Sequence, residues 1–368
     1  MRTGIAALCL IALWIGEPTR VSSRPLAVPA TSPSTISDTL TAYMKTRTEA
    51  DAFSGAVLVT TWYRPLFSYA SGWADREQGY ANRLDTRFNI GSIGKSFTAA
   101  AIVQLAEQGK LSFTDTIGRH LPEYPRPAAD RVTIHHLLTH RSGLPASFIN
   151  DRFWALKDSL RLNRDYLQLF IDLPLEFEPG TRSLYSNPGY VVLGAIIERI
   201  SGEEYSEYVR RHICRPAGMN ETDWPTRDPS KIAVGYTLLD APAPGQRERI
   251  EPLHGAQASG GGYSPVRDLI QFVLALHTGR LMTPESVEIL TTGKESMEPS
   301  GPRVVAYGFL DRRVNGVRIV ENSGGAPGVN AVLSFHPTSG YAVAVAANYD
   351  PPAATDVART IERVLLEH

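Results

Sequence analysis

The sequence predicts an α/β protein of the α+β kind: a mostly antiparallel sheet flanked by helices and broken by a large helical insertion. Strand-like runs stand at Ser54 to Trp62 and Pro65 to Ser71, then are not clear again until Val304 to Arg312, Val317 to Val320, Val329 to Phe335 and Tyr341 to Ala347. Within each group the connections are of hairpin length, which makes neighbouring strands antiparallel. Between the groups, Ser92 to roughly Ser300 is rich in helical patterns and long loops. Terminal helices at Thr35 to Thr48 and Ala354 to Glu367 can cover the sheet, and the boundary between sheet and insertion is where a cleft is expected.

The chain has 368 residues, and its first 16 combine Arg2 with an apolar stretch from Ile5 to Ile15. That is the layout of a signal peptide, and the apolar core is too short for a stable membrane-spanning helix. A cut after Ala30 is expected, giving a periplasmic or secreted product; an uncleaved membrane anchor is the alternative. Residues 17 to 34, rich in Pro and Ser, read as processing and linker sequence. Cleavage removes three Arg and one Glu, leaving 34 basic and 37 acidic residues, a balance that gives nucleic acid no purchase. Only Cys214 then remains, so no internal disulfide can form and the fold must rest on its core. Residues 31 to 368 exceed one usual core, which suggests two interlocked parts, an α/β part (about 35–90 and 301–368) and a helix-rich insertion (about 91–300).

The insertion opens with Ser92-Ile93-Gly94-Lys95 at the mouth of an apolar helix. A serine hydroxyl is a poor nucleophile at neutral pH and needs a neighbour that takes its proton. Residues i and i+3 share a helix face, so Lys95 is the local candidate. The orphan N–H groups of the helix start favour the negative charge of acyl transfer. Alone, this spacing is equally an N-terminal serine with a snorkelling lysine. Gly94-Lys95-Ser96 also mimics the end of a phosphate-binding loop, but Asn89 stands where that loop needs glycine. The nucleophile elbow of α/β hydrolases fails at Ile90 for the same reason.

A second cluster, Tyr185-Ser186-Asn187, precedes another apolar helix. In an extended loop, residues two apart point the same way, so a phenol and a carboxamide can enter one cleft. An ammonium beside Tyr185 would favour the phenolate, letting it take the Ser92 proton, and Asn187 can hold a lysine and a substrate carbonyl in register. The bland reading is a packed tyrosine followed by an N-cap asparagine. A third element, Asn322-Ser323-Gly324-Gly325, follows a strand-like run; its glycines let a substrate backbone lie close and free an N–H for an oxyanion. The ordinary alternative is a hairpin turn.

Taken in order, these three motifs resemble the serine β-lactamase and penicillin-binding protein superfamily, most closely its class C branch with esterase, D-aminopeptidase and DD-peptidase relatives. Val132 to Leu144 and Gly260 to Leu269 resemble structural stretches of that branch, and the likeness runs from about Ser54 to about Asn348. The resemblance implies a β-lactamase/transpeptidase-like fold. It implies Ser92 as acylated nucleophile, Lys95 and Tyr185 as a coupled base, and Asn187, Asn322, Ser323, Gly324 and Gly325 as substrate-binding residues. The oxyanion hole would use the N–H groups of Ser92 and Gly325. One departure stands out: relatives usually begin the third motif with Lys or His, where this chain has Asn322, which carries no charge.

Other features call for ordinary readings. His136 and His140 have the i, i+4 spacing of a zinc helix but lack the adjacent glutamate and a third ligand. Cys214 reads as a buried thiol on an amphipathic helix, and Asn220-Glu221-Thr222 is a glycosylation sequon. The expectation is a cofactor- and metal-free serine hydrolase that cuts an ester, amide or β-lactam bond through an acyl-serine. The alternatives are a DD-peptidase or D-amino-acid peptidase acting on cell-wall peptides, and a non-catalytic relative that binds peptidoglycan or a partner.

Overall fold

The computed structural model describes residues 33–224, 231–239, 243, 245–250, 257–296 and 303–367; the expected signal peptide lies outside the described residues. Eight strands form one sheet: β1 (Gly55–Thr61), β2 (Pro65–Ser71), β3 (Glu295–Ser296), β4 (Arg303–Val305), β5 (Leu310–Val314), β6 (Val317–Ala326), β7 (Val329–Phe335) and β8 (Tyr341–Ala347). Their order across the sheet is β2-β1-β8-β7-β6-β5-β4-β3, and every pairing in it is antiparallel. Five helices matter most for the site: α1 (Pro33–Glu49), α2 (Gly94–Glu107), α3 (Asn187–Ser201), α4 (Val266–His277) and α5 (Ala353–Leu366).

Strand β8 shows how the layers are assembled. Its sequence alternates Val343 and Val345 with Ala342, Ala344 and Ala346, all buried. The valines join Leu40, Met44, Val357 and Ile361 in a core beneath α1 and α5. The alanines face the opposite way, into the larger core shared with Phe97 of α2 and Phe272 of α4. The period of two thus sorts side chains by face, and the small residues let helices approach closely.

Two expectations need correction. Val304 to Arg312 is not one strand: β4 and β5 are separated by a turn in which Ala306 N–H bonds Phe309 O at 2.9 Å. Gly308 in that turn has φ +71°, and a Cβ there would lie 2.7 Å from the Lys95 carbonyl oxygen, so the turn packs directly on α2. Strand β6 continues past Val320 to Ala326, so the third motif lies within a strand, and the hairpin turn is Pro327-Gly328. On the reverse side of β6, Glu321 is clasped by Arg312 at 2.9 Å and by Arg359 of α5 at 2.8 Å. Burial alone would raise this carboxyl, but the two guanidiniums pull it down to about 2. Strand β6 is thereby anchored to α5 next to the motif.

Candidate active site

The nucleophile segment is held by backbone contacts before any side chain is considered. Gly91–Ile93 forms a 3-10 turn that runs into α2, with Ser92 at its centre. Phe88–Asn89 pairs with Tyr263–Ser264, and Ile90 N–H bonds Gly262 O while Gly261 N–H bonds Gly91 O, both at 3.1 Å. On the other side lies β6. A Cβ on Gly324 would stand 2.1 Å from Ile90 O and 2.7 Å from Ser92 N, so only glycine lets the strand and the Ser92 turn touch.

Strand parity sets the direction of the β6 backbone groups. The β5–β6 hairpin closes with Val314 opposite Val317 across Asn315 and Gly316, both at positive φ. In such a ladder alternate residues bond alternate neighbours, so the odd-numbered residues of β6 face β5. The pairing with β5 ends at Glu321. The backbone groups of Ser323 and Gly325 therefore face an open edge beside the Ser92 turn, as an oxyanion donor at Gly325 requires.

Tyr185 and Asn187 arrive through the start of α3. Ser186, not Asn187, caps this helix: its Oγ accepts from Gly189 N–H at 3.1 Å and donates to Pro145 O at 2.7 Å. With the cap supplied by its neighbour, the Asn187 carboxamide is free for another partner. As their spacing predicts, the side chains on either side of Ser186 enter one site. Tyr185 OH lies 2.7 Å from Ser92 Oγ, and Lys95 Nζ donates to Asn187 Oδ1 at 2.8 Å.

Lys95 is the electrostatic centre. It is buried, 3.2 Å from Ser92 Oγ, and it also donates to the Ser259 carbonyl oxygen. Desolvation, with no carboxylate beside it among the described residues, lowers its pKa from 10.5 to about 7. At neutral pH the free amine then rises from roughly 3 in 10,000 to about half of the population, a gain of about a thousandfold. Two fixed carbonyls claim two of its hydrogens, so the lone pair of the free amine is left facing the serine hydroxyl. Tyr185 behaves in the opposite sense. It retains some exposure, yet desolvation at its hydroxyl holds the phenol well above the ordinary range despite its hydrogen bond with Ser92. The expectation of a phenolate favoured by a neighbouring ammonium is thus reversed: burial works against both charges, leaving a neutral phenol beside a readily neutral amine. The nitrogen sits 4.8 Å from the Tyr185 ring centroid and 5.4 Å from that of Tyr190.

Asn322 occupies an unexpected position. Its Nδ2 donates to Ser92 O at 3.0 Å and Ser96 Oγ at 2.9 Å, and its Oδ1 accepts from Ser323 N–H at 2.8 Å. Ser96 Oγ in turn donates to Gly308 O at 2.7 Å. The amide is engaged in bracing the nucleophile segment against β6, with neither of its N–H groups left for a ligand.

Four groups at the site are not assigned to it by the sequence: the Ser259 carbonyl, Ser96, Tyr190 and His140. The glycine run after Ser259 was the available signal, because consecutive glycines mark close backbone approach. His136 and His140 do not share a ligand: His136 Nδ1 accepts from Thr133 N–H, while His140 lies against Tyr185. Among the described residues no three His, Cys, Asp or Glu side chains converge as a metal site, and no helix is long and apolar enough to cross a membrane. Cys214 is free and buried, and desolvation pushes its thiol up, away from reactivity.

Known proteins are similar to this chain over most of its described length. The Beta-lactamase family model matches residues 37–367. Penicillin-binding protein 4* of Bacillus subtilis is 32% identical over 305 residues, covering 77% of this chain and 66% of that protein. Esterase EstB of Burkholderia gladioli is 32% identical over 257 residues, covering 60% and 65%. The chain spans just under two thirds of the length of these two relatives. Among solved structures, a penicillin binding protein from Bacillus halodurans superimposes with a TM-score of 0.76 at 32% identity, covering 91% of this chain and 99% of that one. The D-amino acid amidase of Ochrobactrum anthropi SV3 gives 0.73 at 25% identity, covering 90% and 96%.

Proposed function

The chain belongs to the β-lactamase family of serine hydrolases, and from that premise we propose that it cleaves a neutral ester or amide through an acyl-Ser92 intermediate. The observation that carries this reading is the position of Lys95: buried, depressed toward neutrality and directed at Ser92 Oγ by two carbonyl anchors. In the proposed sequence the Lys95 amine accepts the Ser92 proton as Oγ bonds the substrate carbonyl carbon. The resulting oxyanion is held by the N–H groups of Ser92 and Gly325. Each such donor contributes about 10² to 10³ in rate. Tyr185, neutral and 2.7 Å from Oγ, gives its proton to the leaving group and recovers one from the Lys95 ammonium. Water then attacks the acyl carbon and gives one proton to the same pair, which passes it to Ser92 Oγ as the acid is released. A serine-directed phosphonate followed by mass spectrometry tests the assignment: an adduct on the peptide containing Ser92 is expected, and an adduct elsewhere refutes it.

The geometry of Asn322 favours substrates without a carboxylate. This position supplies no cation, and its N–H groups already bond Ser92 O and Ser96 Oγ. A charge-assisted hydrogen bond is worth about 1.5 to 3 kcal/mol, or roughly ten- to a hundredfold in affinity. Neutral esters or amides are therefore expected to turn over better than penicillins, cephalosporins or D-Ala-D-Ala peptides. Asn322→Lys or Asn322→His, assayed on a matched substrate pair with and without the carboxylate, should gain selectively on the charged member, and the gain should shrink with salt. A wild-type preference for the carboxylate with no gain in the variants would overturn this substrate reading and favour the cell-wall peptidase alternative. Relatives named as penicillin-binding proteins and D-amino acid amidases keep that alternative open, with peptidoglycan as its partner.

Export is part of the proposal and rests on the amino-terminal segment alone. Expression with that segment should yield a soluble periplasmic or secreted protein beginning near residue 31. A full-length, membrane-bound product would contradict it.

A further inference from the structure

We propose that His140 is a positioning residue for acyl transfer, holding the Tyr185 phenol in line with Ser92; this rests on the reading of Ser92 as nucleophile. The residues on either side of Tyr185 are both tied to His140. Leu184 N–H bonds the His140 carbonyl at 2.8 Å, and Ser186 N–H donates to His140 Nδ1 at 3.2 Å. Between these two bonds the imidazole lies against the phenol, with ring centroids 4.5 Å apart, and it also meets the Tyr190 ring at 5.2 Å. Tyr190 is fixed in turn by its hydroxyl on Leu138 O at 3.1 Å. The Tyr185 backbone is thus pinned before and after, and its ring rests on a platform that is itself buried.

Three demands at this position explain the residue type. The backbone has φ +58°, a region that His, Asn and Asp enter more readily than other side chains bearing a Cβ. An acceptor must face Ser186 N–H, so Nδ1 carries no hydrogen and the neutral ring bears its proton on Nε2. The ring must also stay uncharged, because a protonated Nδ1 could not accept that bond and would set a second positive charge near Lys95. Desolvation, and then the Lys95 charge, lower its pKa to about 3, so it remains neutral across the working range. His140 touches neither the reacting hydroxyl nor the lysine nitrogen through any hydrogen bond among the described contacts; it acts through Tyr185.

The test compares His140→Gly with His140→Asn. Both residues accept a positive φ, so backbone strain is not the difference between them. Glycine removes ring and acceptor; asparagine restores an acceptor without the ring. A misplacement of about 1 Å can cost on the order of a hundredfold. The glycine variant should therefore acylate Ser92 about ten- to a hundredfold more slowly with KM for a neutral ester within about twofold of wild type, and asparagine should recover part of the loss. The pH midpoint of acylation should stay near 7 in both, because the Lys95 partners Asn187 and Ser259 are untouched. Wild-type acylation by the glycine variant overturns the proposal. So does a loss carried wholly by KM, or a midpoint that climbs toward that of an ordinary lysine, which would signal general loosening and water entry. Should the glycine variant fail to fold, the asparagine variant decides alone: slower acylation at unchanged KM supports the role, and a wild-type rate removes it. Failure of the wild-type protein to label at Ser92 would instead strike the proposed function itself.

Discussion

Ser92→Ala is expected to abolish turnover and covalent labelling while leaving the fold intact. In the proposed mechanism this hydroxyl forms the acyl bond, and loss of a nucleophile typically costs on the order of 10⁶ in kcat. The fold should survive because the surrounding contacts are made by backbone: Ile90 N–H to Gly262 O, Gly261 N–H to Gly91 O, and the Asn322 amide on the Ser92 carbonyl oxygen. Lys95 keeps Asn187 and Ser259 as partners when the hydroxyl is gone. An unchanged circular-dichroism spectrum with no adduct is the expected result. Adduct formation on the alanine variant would contradict the assignment.

The second large effect concerns the pair that handles the proton. Tyr185→Phe and Lys95→Ala should each slow acylation by about 10² to 10⁴, the usual range for a positioned acid or base. Their double variant should be little worse than the more severe single one. The reason is geometric: both groups meet at Ser92 Oγ, at 2.7 and 3.2 Å, and in the proposed path neither carries the proton without the other. Single-turnover measurements on the four proteins close the cycle. Multiplying losses would mean that the two groups act independently.

Much of the sheet was legible because its strands obey a simple period. Pro65–Ser71, Val329–Phe335 and Tyr341–Ala347 are found within the runs expected from alternation and β-branched content. Val304 to Arg312 misled because Tyr307 and Phe309 keep the apolar pattern going through a turn that exists to meet α2 at Gly308. Strand β6 was read too short for a related reason. Asn322, Ser323, Gly324 and Gly325 have poor strand character, but the strand is kept extended there by its pairing with β7 and by the need to touch the Ser92 turn.

The site followed the same division. Helical spacing puts Ser92 beside Lys95 and extended spacing sends Tyr185 and Asn187 the same way, because both are local rules, but their roles came only from the resemblance carried by the three motifs in order. What remained hidden depends on contacts across the chain. No local pattern announces that the Ser259 carbonyl will meet a lysine 164 positions away, or that the Asn322 amide will turn onto Ser92. The ionisation of Lys95 and Tyr185 belongs to the same class, since it is set by the enclosure of the folded cleft and not by the residues' neighbours in sequence.

In the proposed mechanism burial turns Lys95 into a base at neutral pH, and the pH dependence of Ser92 acylation reads its ionisation. The ammonium cannot accept the serine proton, so the rate should be low in acid and rise as the amine becomes free. Because the pKa is depressed from 10.5 to about 7, the rising limb should have its midpoint near 7 and level off above it, measured by stopped-flow labelling with a neutral ester whose own reactivity is flat over that range. Acylation that is independent of pH between 5 and 9, or that is still climbing steeply above pH 9, would contradict the account.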